Sequence, residues 1–210
     1  MEIRYKHPIK TLPRHYEVHN TINLSKNRWL AIGLNLGAIL SFFVFGWFFW
    51  SLALFFYPEL TEIFVQMTEP DPFSLFVIFA FFLIFQICLH EFTHSLFFWL
   101  FTKERPKFSA KWLRTYAYAA APENCYLTRN QYVVALMAPF VIITLVGLML
   151  LLVISVEVIP ALIFVVTSNA AGAIGDLFII GWLLYQPATA LVRDISVAMI
   201  VYRPKEAVKV

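Results

Sequence analysis

The chain has 210 residues, of which 60% are hydrophobic, 18% aromatic and 14% charged, and its mean hydropathy is +0.74. This composition lies well outside the balance of soluble domains, which excludes an ordinary soluble enzyme and indicates an integral membrane protein. The net charge is only +3. Membrane topology and contact with anionic lipid account for that charge, so we expect no nucleic-acid partner.

Residues 1–28 form a polar and basic segment in which His7, His15 and His19 are scattered. The spacings of these histidines do not fit one helical face, and no cysteine accompanies them. A solvated tail facing the lipid surface is therefore favoured over a metal site. We predict a cytoplasmic amino-terminal segment over residues 1–28.

Four long apolar runs follow, and each is long enough to cross about 30 Å of hydrocarbon as a helix. They cover residues 29–57, 73–101, 132–156 and 159–185. The first run is too long, and begins too late, for a cleavable signal peptide. We predict an all-α polytopic membrane protein whose four transmembrane helices form one integral domain, residues 29–185.

The basic residues lie at one end of the predicted spans. All sixteen lysines and arginines fall within residues 4–28, 103–129 and 193–209, and the two remaining loops contain acidic residues without basic ones. Short cytoplasmic loops retain Lys and Arg. We therefore expect a multi-pass protein of the cell membrane with both termini in the cytoplasm.

The basic loop between the second and third spans alternates in polarity around residues 112–118 and has a turn signal at residues 122–124. This pattern predicts a short cytoplasmic strand-like hairpin, with Thr128 capping the third helix ahead of Gln131. Two interpretations remain open. The loop is either an interfacial segment with aromatic residues at headgroup depth, or an exposed strand edge that pairs with an extended peptide.

Residues 186–210 are predicted to form a cytoplasmic amphipathic tail. Apolar residues recur in it at helical spacing, at Leu191, Val192, Ile195, Met199 and Tyr202. The spacing predicts an amphipathic helix that packs on the domain or lies on the membrane surface.

The second span contains His90-Glu91-Phe92-Thr93-His94, which matches the spacing H-E-x-x-H. Histidines at i and i+4 project from one helical face and can hold zinc, while the glutamate transfers protons. An ionisable residue inside a span is costly, so it usually has a partner and a function. Asp176, in the fourth span, needs such a partner.

Two considerations place Asp176 beside the histidines. Spans two and four run in the same direction, and both groups lie roughly 15 Å from the cytoplasmic helix ends at 1.5 Å per residue. Small residues at 170–175 would let the two helices pack closely. We therefore predict that His90, His94 and Asp176 bind Zn²⁺ and leave a fourth position for water, with Glu91 as the catalytic base.

Three further polar residues are weighed. Asn169, nearly on the same helical face as Asp176, is predicted to hydrogen-bond the oxyanion or the substrate backbone. Glu123, in the aqueous loop, is a less favoured third ligand. Gln86, one turn before His90, either orients a ligand or is a polar residue between helices, and we favour the second interpretation.

These residues resemble a known family. His90, Glu91 and His94, together with the segment from Asn169 through Gly172 and Gly175 to Asp176, resemble the site-2-protease-like membrane zinc metallopeptidases. A bacterial family of small zincin-like peptidases, in which an H-E-x-x-H span is followed by a late N-x-x-G-x-x-G-D segment, is more similar still. The resemblance covers residues 72–185. It implies zinc ligation by the two histidines and the aspartate, and catalysis by Glu91.

The sequence therefore predicts a membrane-embedded zinc metalloendopeptidase whose partners are the lipid bilayer and a membrane protein or peptide substrate. Two alternatives belong to other functional classes. One is a metal or proton transporter that uses the same polar residues as a pathway, and the other is a zinc-binding membrane partner protein without proteolytic activity.

Overall fold

A computed structural model describes residues 7–23, 27–62, 71–105, 107–111, 116–122, 125–195 and 198–205 of the chain. Within these residues the protein is mostly helical and also contains two small antiparallel sheets. The helical character agrees with the predicted fold class. A purely α-helical description is nevertheless incomplete, because one of the sheets was not predicted.

Four apolar segments are helical and long enough to cross a membrane. α1 spans Arg28–Phe56, α2 spans Pro72–Thr102 and α3 spans Arg129–Leu151. The fourth segment begins with a 3-10 turn at Val156–Val158 and is divided into α4, Ile159–Gly172, and α5, Ile174–Leu184. The prediction of four apolar helices of spanning length is confirmed, whereas the division near Ala173 was not predicted.

Polar side chains fix the starts of two of these helices. The Asp71 carboxylate accepts the backbone N–H of Ser74 at 3.1 Å and its hydroxyl at 2.6 Å, at the start of α2. The Thr128 hydroxyl accepts the N–H of Gln131 at 3.3 Å, and the Gln131 amide oxygen accepts the N–H of Thr128 at 3.1 Å. This reciprocal pair satisfies backbone donors that a helix start leaves open. The predicted cap of α3 is therefore confirmed.

The surfaces of α1 and α2 are apolar and largely unpacked by protein. Only 11% and 6% of their most apolar stretches are buried, against 56% in the fourth segment. Large side chains such as Phe43, Phe55 and Phe81 are more than 60% exposed. An apolar surface of this extent fits hydrocarbon rather than water.

A four-stranded antiparallel sheet joins three distant parts of the chain. Its strands are β1, Tyr16–Ile22, β4, Leu127–Thr128, β5, Leu191–Asp194, and β6, Met199–Pro204, in the order β1-β6-β5-β4. The predicted amphipathic helix in the carboxyl-terminal segment is therefore wrong. A short apolar run fits either period, and the β-branched and aromatic residues here favour a strand once partner strands exist.

The amino-terminal segment is also bound to this sheet and is not a free tail. Ile9 forms an antiparallel bridge with Tyr126, whose two hydrogen bonds measure 3.0 and 2.9 Å. The Lys10 ammonium lies 2.6 Å from the Glu104 carboxylate, and this contact lowers the pKa of Glu104. Strands from the predicted amino-terminal segment and from the predicted tail thus belong to one sheet.

The second sheet is the predicted hairpin. β2, Lys107–Lys111, pairs antiparallel with β3, Tyr116–Ala120, so that Ser109 stands opposite Tyr118. The prediction of a strand-like hairpin between the second and third spans is confirmed, but its position is not, because both strands precede the predicted turn at residues 122–124.

The chain divides into two compact units. The first comprises residues 1–33, 91–138 and 176–210, and the second comprises residues 34–90 and 139–175. The first unit contains both sheets and a core that includes Phe98 and Leu183. The second unit has its own apolar core, which includes Phe49 and Ile159.

Candidate metal centre

The two histidines of the H-E-x-x-H sequence lie on α2, one helical turn apart. His90 is 7% exposed and His94 is 5% exposed, so both imidazoles are buried. Glu91, which follows His90 in the sequence, is half-buried. Its backbone carbonyl accepts a hydrogen bond from the Ser95 hydroxyl at 2.9 Å. The α-helix thus presents two buried imidazoles from neighbouring turns.

Asp176 completes a cluster of three possible metal ligands. It occupies the first turn of α5, just after the division near Ala173, and a helix start favours a negative charge. One ligand atom from each of His90, His94 and Asp176 lies within 4.8 Å of the others. The His94 Nε2 is 3.4 Å from Asp176 Oδ2. The structure therefore brings together the three residues predicted as metal ligands.

Asn169 holds the ring of His90. The His90 Nδ1 lies 2.9 Å from Asn169 Oδ1, and the Asn169 amide nitrogen donates to the Pro139 carbonyl at 3.1 Å. The Pro139 carbonyl can only accept, so it fixes which end of the amide faces His90. Since the amide oxygen also only accepts, His90 Nδ1 carries the proton and donates it. The lone pair of His90 is then on Nε2.

The ring of His94 is fixed in the same tautomer by a different acceptor. Its Nδ1 lies 2.9 Å from the backbone carbonyl of Ala135 on α3, which again can only accept. The ring also stacks on Phe98, with 6.4 Å between centroids and 24° between planes. His94 therefore presents Nε2 toward Asp176.

This donor set fits a zinc ion. Zinc binds imidazole nitrogen and carboxylate oxygen, and catalytic zinc sites use three protein ligands with one open position. Histidine ligands of zinc typically donate their other ring N–H to a carbonyl or carboxylate, as both histidines do here. Across the part of the chain that the structure describes, these three residues are the group that could hold a metal ion.

Asn169 was predicted to contact an oxyanion or the substrate backbone. Instead, its side chain is fully buried, with both ends of the amide bonded to protein groups. These contacts favour a supporting role over direct contact with substrate.

Gln86 is also buried, and its amide nitrogen lies 4.0 Å from the point that a Cβ on Gly172 would occupy. This placement favours Gln86 as a polar residue between helices. Glu123 lies outside the described residues.

A buried polar pair that packs against Phe98 was not predicted from the sequence. The Tyr132 hydroxyl donates a hydrogen bond to Asp194 Oδ2 at 3.2 Å. The ring centroids of Tyr132 and Phe98 are 5.8 Å apart. Asp194 is 9% exposed, although it falls in the segment predicted as an amphipathic helix. Predicting a strand at residues 191–194 would have indicated that Asp194 is buried, since one face of that strand is buried.

Comparisons with known proteins agree with the geometry. The model of a family described as "Putative zincin peptidase" matches residues 83–191, just over half of the chain. The matched region includes His90, Glu91, His94, Asn169 and Asp176. Searches among curated proteins and among solved structures each found no match. On the family match and its extent, the chain belongs to this zincin peptidase family.

Proposed function

We propose that the protein is a membrane-embedded zinc metallopeptidase that hydrolyses peptide bonds of membrane or membrane-proximal substrates. One observation carries the proposal: His90, His94 and Asp176 place their ligand atoms within 4.8 Å of one another, and both histidines offer Nε2. Membership of the zincin peptidase family supports it. We also propose a relation to the site-2-protease-like metallopeptidases, because the three residues come from two apolar helices.

Each residue has a distinct part in the proposed reaction. A bound zinc ion would lower the pKa of a water ligand to about 7 and would polarise the peptide carbonyl. His90, His94 and Asp176 would hold the ion, and Asn169 would keep the His90 ring in position. Glu91 would accept the proton of the attacking water and then donate it to the departing amine.

The depth of the cluster limits the substrate class. At 1.5 Å per residue, His90 lies roughly 18 Å from the end of α2, and Asp176 roughly 12 Å from the end of α5. In a bilayer with about 30 Å of hydrocarbon, such a site is well below the headgroups. A peptide must be extended there to expose its carbonyl, because a regular helix has its backbone groups paired. We therefore propose membrane-inserted segments of low helix stability as substrates.

We propose that both termini face the cytoplasm. β1 precedes α1, β4 lies between α2 and α3, and β5 and β6 follow α5, yet all four belong to one sheet. These three segments must therefore lie on one side of any membrane that the helices cross. They contain the basic residues of the chain, which favours the cytoplasmic side.

A carboxyl-terminal fusion tests this orientation. Green fluorescent protein fused after Val210 is expected to fluoresce, whereas alkaline phosphatase at the same position is expected to be inactive. Alkaline phosphatase fused after residue 71, on the opposite side, is expected to be active and is the matched control. The reverse pattern of the three fusions would reject the proposed topology.

Replacing Glu91 tests the proposed function. We expect Glu91→Gln to lower the hydrolysis rate by about 10²- to 10⁴-fold, because the amide cannot accept the water proton. Zinc content should not change, because Glu91 is not among the three proposed ligands. The measurement combines metal analysis of purified protein with cleavage of quenched-fluorescent single-span peptides reconstituted in liposomes. Glu104→Gln, at a half-buried glutamate bound to Lys10, is the control and should retain full activity.

Other outcomes separate the alternatives. Zinc-dependent cleavage that persists at the wild-type rate in Glu91→Gln would exclude Glu91 as the base. Tightly bound zinc without cleavage of any peptide would favour the non-proteolytic partner protein. Zinc uptake into sealed liposomes containing the protein would favour the transporter.

A further inference from the structure

Pro139 lies inside α3, well beyond its first turn. In an α-helix the N–H of each residue donates to the carbonyl four positions earlier. Proline has no N–H, so the carbonyl of Ala135 loses its regular backbone donor. Ala135 is completely buried, and an unpaired carbonyl in hydrocarbon is costly. This carbonyl therefore needs a donor from outside α3.

His94 supplies that donor. Its Nδ1 lies 2.9 Å from the Ala135 carbonyl. The contact satisfies the carbonyl and at the same time fixes the orientation and tautomer of the imidazole. A regular helix at this point would offer His94 a carbonyl already paired with the N–H of residue 139.

The carbonyl of Pro139 itself supports the other histidine. It accepts the Asn169 amide nitrogen at 3.1 Å, and the Asn169 oxygen accepts from His90 Nδ1 at 2.9 Å. A backbone carbonyl oxygen has two lone pairs, so that of Pro139 can accept this contact in addition to a helical hydrogen bond. Asn169 is completely buried, so water does not compete for either bond.

We propose that Pro139 is a positioning residue for both metal-binding histidines. Its missing N–H leaves the Ala135 carbonyl to His94, and its own carbonyl holds Asn169 and, through it, His90. α3 contributes no ligand to the cluster, yet one residue in it sets the direction of both imidazoles. This inference rests on the proposed function only for the identity of the ion as zinc. It assigns to Pro139 a role that is not part of the H-E-x-x-H motif.

Metal affinity without any peptide substrate is the first test. Pro139→Ala restores an N–H that competes with His94 for the Ala135 carbonyl. We expect Zn²⁺ and Co²⁺ to bind about 10- to 100-fold more weakly, as is typical when a hydrogen-bond partner of a ligand is lost. The visible spectrum of the Co²⁺-loaded protein should change as well, since the His94 ring is free to reorient. Asn169→Ala, which frees the His90 ring, should weaken binding to a similar degree.

Pro160→Ala is the matched control. Pro160 occupies the first turn of α4, where a missing N–H breaks no helical bond. This substitution should leave metal affinity and the Co²⁺ spectrum unchanged. The unfolding temperature of metal-free protein is a second readout, because Pro139→Ala completes the α3 bonding pattern and should not lower it. A residue with a merely structural role would lower that temperature.

The outcomes distinguish this inference from the proposed function. Wild-type protein that binds metal, with an affinity unchanged in Pro139→Ala, would overturn the inference alone. A fall in affinity matched by a lower unfolding temperature of the metal-free variant would also overturn it. Wild-type protein that binds neither Zn²⁺ nor Co²⁺ would overturn both.

Discussion

Asp176→Ala is expected to abolish stoichiometric zinc binding and peptide hydrolysis together. Two histidines on one helix remain in this variant, but the proposed anionic ligand, which lies 3.4 Å from His94 Nε2, is lost. Loss of a direct ligand should exceed the effect of losing an outer partner, which is about 10- to 100-fold in affinity. Purified wild-type protein should carry about one zinc ion per chain, as a three-ligand catalytic site does, and Asp176→Ala should carry almost none after dialysis.

Glu123→Ala is the control for this experiment. Glu123 is the alternative third ligand from the sequence, and its replacement should change neither zinc content nor cleavage. The unfolding temperature of the metal-free Asp176→Ala protein, measured in parallel, separates ligand loss from misfolding. Zinc retained in Asp176→Ala but lost in Glu123→Ala would reverse the ligand assignment.

Gly147→Ala is expected to produce the largest loss of stability from a single methyl group. A Cβ at position 147 of α3 would lie 2.2 Å from Val166 Cγ1 on α4, far inside van der Waals contact. Val166 is 4% exposed, and its β-branched side chain has one strongly preferred rotamer in a helix, so it cannot turn aside easily. Overpacking of this kind costs about 1–3 kcal/mol and occasionally more. The unfolding temperature in detergent should fall clearly.

Two further variants check the cause. Gly181→Ala, where no atom lies within 4 Å of the added Cβ, should be as stable as wild type or slightly more stable, because alanine is the better helix former. Val166→Ala removes the clashing methyl group, so the double variant should be more stable than Gly147→Ala alone. Equal unfolding temperatures for Gly147→Ala and Gly181→Ala would refute close packing of α3 on α4.

Much of the helical architecture could be predicted from the sequence because it depends on local properties. Long apolar runs give spans almost regardless of their neighbours, since only a helix pairs its own backbone in hydrocarbon. Thr128 and Gln131 likewise form a cap from residues three positions apart. Asp176 was singled out because an isolated carboxylate at depth requires a partner.

The four-stranded sheet was not predicted, because its strands pair with segments that are distant in the sequence. β5 and β6 read as a helix when only the periodicity of residues 191–202 is considered. Their strand conformation depends on β1 and β4, which lie far away in sequence. The contacts of the histidine rings were missed for a related reason. No spacing rule states that a proline frees the carbonyl of Ala135 or that Asn169 bonds the Pro139 carbonyl.

The pairing of β1 with β6 also constrains the order of assembly in the cell. Ribosomes deliver Tyr16–Ile22 before any span has entered the bilayer, while the partner strand, Met199–Pro204, emerges only after the whole bundle has been translated. Contacts between such distant segments form late, because a long loop must close first. The amino-terminal strand therefore cannot pair with β6 until all the helices have been made. The pairing of these two strands is a late step of folding.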